Sequence, residues 1–149
     1  MGGRAAVEVP ANRIPAGCML ITPDMLPLAD LNQDAIDTLL RQIPGGVANI
    51  QDIYGLAPLQ QGILYHHLAS EGADPYVVQA RFAFAGQAEL DAFVAALNQV
   101  IARHDILRTS LHWQGLDEAV QVVWREAPLL LSPALETPRL DLGQAPCCA

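Results

Sequence analysis

The sequence predicts an α/β domain of the α+β layered kind, preceded by a Pro-rich linker and a short helix. Three observations predict it. The periodic segments run strand, helix, strand, helix, strand, strand, an order that layered domains of helices on a sheet produce. Turn residues separate them at Pro44-Gly45-Gly46, Asp74-Pro75 and Gln114-Gly115, where backbone angles are pre-set or relaxed. Hydrophobic residues make up 52% of the 149, enough for a core rather than a disordered chain.

Taken in order, residues 1–30 carry prolines at 10, 15, 23 and 27, which prevent a long helix and favour extended segments. Asn32 is placed to cap a short helix, with Leu31 stapling against Ile36. Ile36, Leu39, Leu40 and Ile43 form its apolar face until Pro44-Gly45-Gly46 ends it. Residues 1–48 are therefore read as an interdomain linker with a short helix, and 49–149 as the globular part. Ile50–Tyr54 is a short strand. A helix follows from Pro58 to about Ser70, with Pro58 in its first turn and Gly72 beyond its end. Tyr76–Ala85 is the strongest strand expectation, with Val78, Ala80, Phe82 and Phe84 on one face. Ala88–Arg103 places Leu90, Phe93, Val94, Leu97, Val100 and Ile101 at helical core spacing. Thr109–Trp113 and Ala119–Trp124 form a hairpin around Gln114-Gly115. Trp113, Trp124, Phe82 and Phe84 are expected in the core.

A net charge of −8 and a pI near 4.7 argue against nucleic acid or an anionic membrane as partner. No apolar run approaches the roughly 20 residues that span a bilayer. Three cysteines, two of them adjacent at Cys147-Cys148, cannot close a disulfide framework, so a reduced, cytoplasmic setting is expected. Pro15-Ala16-Gly17-Cys18 has the look of a lipoprotein cleavage site. The stretch before it contains Glu8, Pro10, Asn12 and Arg13, and so lacks the apolar region such a signal needs.

Three stretches, in order, carry a resemblance. Residues 49–68 (NIQDIYGLAPLQQGILYHHL) resemble the opening of condensation domains in nonribosomal peptide synthetases. Residues 103–111 (RHDILRTSL) are similar to the second core motif of those domains, RHExLRTxF, with Asp for Glu and Leu for Phe. Residues 10–28 (PANRIPAGCMLITPDMLPL) are similar to the linker between a carrier domain and a condensation domain. His66-His67-Leu68, followed after four residues by Ala73-Asp74, resembles the HH[I/L]xxxxGD motif of dual epimerisation/condensation domains, except that Ala73 stands where the family has glycine. A glycine there would relieve a backbone angle that alanine resists, and Gly72 stands beside it.

The resemblance implies part of a chloramphenicol-acetyltransferase-like lobe from a domain that joins aminoacyl and peptidyl thioesters carried on phosphopantetheine. It implies no cofactor on this chain itself. The implied partners are carrier domains and the adjacent adenylation domain. The condensing histidine belongs to a separate HHxxxDG motif, and none of His66, His67, His104 and His112 is followed by Asp-Gly at that spacing. Residues 140–146 (LDLGQAP) look like the family segment shortly before that motif. The chain is therefore expected to be an N-terminal piece that neither condenses nor epimerises when isolated.

Epimerisation needs a base for the α-proton beside a thioester carbonyl, and imidazole titrates in the right range. His66 and His67 are the catalytic candidates. Adjacent helical residues point about 100° apart, so one would act while the other packs or orients. The alternative is a hydrogen-bonded, partly buried helical pair with no chemical role, and the residues leave both readings open. Asp74 completes the motif. Arg103, His104, Asp105 and Arg108 are read as structural: a cation where a helix ends can satisfy terminal carbonyls, and Asp105 is the nearest partner for an arginine. Gly45-Gly46 resembles a carrier-domain GGxS site, but Ala48 occupies the serine position and no attachment is possible there. No Asp/Glu/His cluster has metal-ligand spacing. The competing readings are a noncatalytic module that docks a carrier domain or another part of a synthetase, and a decaying gene fragment.

Overall fold

Strand, helix and turn propensities resolve into a mixed α+β structure in the computed structural model, which describes residues 11–70, 74–78 and 80–132. The chain divides into two units: residues up to Gly55 together with Ile101–Ala127, and Leu56–Val100 together with Pro128 onward.

The first unit is built on an antiparallel sheet with the order β1-β3-β2, where β1 is Ile50–Gly55, β2 is Thr109–His112 and β3 is Val120–Trp124. The hairpin expected around Gln114-Gly115 is β2–β3, and Gly115 adopts φ 75° in its loop. As the central strand, β3 buries Val120, Gln121, Val122 and Val123 in succession, the pattern of a strand covered on both faces. The β1–β3 register slips by one residue between Ile50 and Asp52. This bulge at Gln51 shifts the strand's alternation, so Ile50 and Ile53 both reach zero exposure although they are three residues apart.

Helix α1 spans Gln33–Leu40, and the Asn32 side chain caps it by accepting the Ala35 N–H at 2.9 Å. Ile43, expected on its face, lies beyond its end but is buried all the same. Gly45 and Gly46 adopt φ 84° and 58°, and a 3-10 turn, Gly46–Asn49, leads into β1. A Cβ on Gly45 would meet Asn49 Cβ at 3.0 Å, so glycine is required there by angle and by space. The stretch read as a linker is packed onto the sheet. Ile14, Ile21, Leu26, Leu31, Ile36, Leu39 and Ile43 share one cluster with Ile50, Ile53, Val120 and Val122. Gly17 turns at φ 77° and Cys18 N–H bonds Pro15 O at 3.2 Å, so the lipoprotein-like box is an ordinary turn.

The second unit holds α2, Pro58–Ala69, and α3, Gln87–Arg103, whose last turn from Ile101 belongs to the first unit. Gln60 accepts the Ala57 N–H at 2.8 Å, which with Pro58 sets the start of α2. Three expectations are corrected here. The described residues of Tyr76–Ala85 are not a strand. A strand needs a neighbour to bond with, and this unit contains no other strand among its described residues. Val78 is 90% and Phe82 64% exposed, while Phe82 and Phe84 lie with ring centroids 5.3 and 5.2 Å from Phe93. Phe82 is therefore not in a core. Nor does α3 bury any residue fully, for its apolar stripe is half-covered and Val100 is exposed. Gly72, Ala73, residues 140–146 and Cys147-Cys148 lie outside the described residues. Among the described residues, no helix is long and apolar enough to cross a membrane.

Candidate functional site

His66 and His67 sit in the last turn of α2 and point in different directions, as helical geometry requires. His66 is exposed, with its ring centroid 5.8 Å from Tyr65 and 6.2 Å from Tyr76. His67 is half-buried, and its Nδ1 donates to Asp74 Oδ2, the side chains being 27% and 12% exposed. Asp74 is held from a second side: its Oδ1 accepts the Tyr76 N–H at 2.8 Å, and its carbonyl accepts the Val77 N–H at 3.2 Å. This is the Asx-turn chemistry expected of Asp-Pro. The bond from His67, and then that from Tyr76, hold the Asp74 carboxyl below its usual 3.8 against an opposing effect of burial. The Ser70 hydroxyl bonds His66 O at 2.7 Å and helps close the helix. Of the sequence-predicted residues, His67 and Asp74 are thus brought together, and His66 stands outside their bond.

The other predicted group lies in the first unit. Arg103 and His104 are exposed. Arg108 is the buried cation, 7% exposed, at the end of a 3-10 turn, Asp105–Arg108. Its guanidinium donates to Asp105, to Ile101 O at 3.1 Å, to Gln51 Oε1 at 3.1 Å, and to the carbonyls of Trp124 and Arg125, the latter at 3.3 Å. Gln51 Nε2 in turn donates to Asp105 Oδ2 at 2.9 Å. Arg108 therefore bonds a terminal helix carbonyl and pairs with Asp105. Its planar fork ties the bulge of β1 to the end of β3.

Sequence reasoning missed several residues. Gln51 had no signal, because a bulge follows from pairing. Asn49 bonds Pro44 O at 3.0 Å and Glu126 O at 3.1 Å through Nδ2, and accepts Glu126 N–H at 2.9 Å. Ser110 and His112 could have been read as sharing a face of β2, being two apart. Trp124 Nε1 donates to Ser110 Oγ at 2.8 Å, Ser110 Oγ lies 2.8 Å from His112 Nε2, and His112 Nδ1 lies 3.4 Å from Gln42 Oε1. Because the amide oxygen only accepts, Nδ1 carries the proton and Nε2 accepts from Ser110. Burial pushes the His112 imidazole below its usual 6.5. Among the described residues, no group of three His, Cys, Asp or Glu side chains could hold a metal ion.

The family model described as "Condensation domain" matches residues 50–138, a span holding α2, Asp74 and the Arg108 network. The chain is 52% identical over 146 residues to malpinin synthetase and 49% over 129 residues to malpibaldin synthetase, both from Mortierella alpina. These alignments cover 98% and 87% of the chain but 2% of each synthetase. A linear gramicidin synthase polypeptide of Brevibacillus parabrevis is 41% identical over 105 residues, 70% of the chain and 1% of that protein.

Proposed function

The chain belongs to the condensation-domain family, and from that premise we propose that it forms part of a nonribosomal peptide synthetase domain that makes peptide bonds between carrier-bound thioesters. The observation that carries this reading is the family match over residues 50–138, which contains residues 50–68 of the first stretch and all of 103–111. In the complete domain, the amine of an acceptor aminoacyl thioester attacks the donor carbonyl, and the surrounding scaffold holds the two in line. The part formed by this chain would be the beginning of a chloramphenicol-acetyltransferase-like lobe. Its partners would be carrier domains, which bring the phosphopantetheine-bound substrates in a cytoplasmic setting, and the neighbouring adenylation domain. The chain itself would bind no cofactor.

The finer reading is that the domain also epimerises its donor. A thioester carbonyl acidifies the neighbouring α-proton, and an imidazole can remove it and allow its return on the other face. The histidine pair of α2, with Asp74 beside it, supports this.

The test uses a module in which this segment sits within its complete condensation domain, with loaded donor and acceptor carriers. Peptidyl thioester on the acceptor carrier is expected, and no transfer with every component loaded would sink the reading. His67→Ala is expected to abolish D-configured product while amide-bond formation continues; an unchanged D/L ratio would remove epimerisation. The 149 residues alone, lacking an HHxxxDG motif, are expected to turn over nothing.

A further inference from the structure

The geometry points to Asp74 as a positioning residue for His67, with His67 rather than His66 as the acid–base member of the pair. The inference rests on the reading above that the pair serves a donor α-carbon. A carboxylate only accepts hydrogen bonds, so Asp74 Oδ2 on His67 Nδ1 fixes the proton on Nδ1 and the basic lone pair on Nε2. Asp74 is itself anchored by the Tyr76 N–H at 2.8 Å and by the turn that its carbonyl closes with Val77 at 3.2 Å. Its carboxyl, held below 3.8, stays ionised across the range in which an imidazole works. A carboxylate so placed orients the ring and stabilises the imidazolium that forms when Nε2 gains a proton.

His66 has neither advantage. It is exposed among the rings of Tyr65 and Tyr76, and among the described residues no carboxylate bonds it. The two adjacent histidines are thus made unequal by a residue seven positions further on.

The test begins with the 149-residue chain labelled with 15N-histidine. The ring-nitrogen shifts are expected to show His67 locked as the Nδ1–H tautomer and His66 averaging between the two. Asp74→Ala should release the lock, Asp74→Glu should restore part of it, and His66→Ala should leave it intact. In case the Asp74 variants disturb the turn, His67→Ala supplies the reciprocal reading. The Asp74 carboxyl carbon should titrate below 3.8 in the parent and move up toward it in that variant. A His67 tautomer indifferent to Asp74→Ala, or an Asp74 titration indifferent to His67→Ala, overturns the inference. In the complete module, Asp74→Ala should slow appearance of D-product by roughly 100-fold, the lower end of what a positioned acid–base group contributes, with amide-bond formation retained. D-product surviving His67→Ala would instead overturn the functional reading and His67's acid–base role, while the tautomer lock would stand or fall on the spectra alone.

Discussion

The two units draw on the same apolar-rich composition and put it to different use. In the first, side chains far apart in sequence, from Ile14 to Val122, close over one another, and Ile21, Ile36, Leu39, Ile50, Ile53 and Val122 lose all contact with solvent. In the second, only Leu56 and Leu64 are buried among the described residues, while Leu59, Tyr65, Leu68, Val78 and Phe82 are more than half exposed. Burying a large aliphatic side chain is worth about 1.5–3 kcal/mol, so the first unit holds most of the stabilising burial. The difference teaches that apolar content sets how much can be buried, whereas long-range partners set how much is. The first unit has a sheet to receive the residues of 14–43, and the second has no sheet among its described residues for Tyr76–Ala85 to join.

The largest expected effect tests whether this contrast is energetic as well as geometric. Arg108→Ala strips the guanidinium from Asp105 and from the carbonyls of Ile101, Trp124 and Arg125. Asp105 is 56% exposed, so the cost is that of the sheet and helix carbonyls left without their donor, about 1–3 kcal/mol. Native-state hydrogen exchange should show that loss at the amides of β1 and β3, with α2 amides little changed. Equal loss in α2 would make the units one cooperative body and end the contrast. Arg108→Lys should recover little, since an ammonium cannot reproduce the fork.

A smaller effect sharpens the picture through pH. Burial lowers the folded-state affinity of His112 for its proton below that of the unfolded chain, whose imidazole titrates near 6.5. The unfolded state therefore takes up the proton first as pH falls. The stabilisation is fully present above about 6.5 and is lost on acidification through the folded value. Protonation would also turn Nε2 from acceptor to donor and displace the Ser110 hydroxyl proton from its bond. Stability measured by denaturant titration should fall between neutral and mildly acidic pH, and His112→Asn should flatten that slope. A slope unchanged in the variant would assign the acid sensitivity elsewhere. The smallest effect belongs to the second unit: Val78→Thr, at a residue 90% exposed, should shift stability by no more than about 0.5 kcal/mol. A larger loss, read from the same titration, would mean that the exposed segment carries weight that the structure does not show.

Local signals were legible wherever they acted within a few residues. Asn32 before an apolar stripe, Pro58 opening α2, and Gly115 in the β2–β3 loop each specify their own turn of backbone. The pairing of Arg108 with Asp105 was also readable, because the partners are three apart. Tyr76–Ala85 misled for a reason of the same kind: alternation describes a strand's faces but says nothing about whether a neighbour will supply its hydrogen bonds. The burial of Ile14, Ile21 and Leu26 was hidden because prolines make a stretch extended, and extended chain can be tether or packing layer alike.

For the candidate site, the sequence by itself determined that two adjacent histidines end a helix and that an Asp-Pro turn follows, since caps and turns depend on neighbouring residues alone. Only the tertiary structure decided which histidine meets Asp74. It likewise decided that Gln51 bulges toward Arg108 and that Ser110, His112 and Trp124 share one hydrogen-bonded chain. Those outcomes depend on register and ring direction, and both are set by contacts between residues that the chain brings together only on folding.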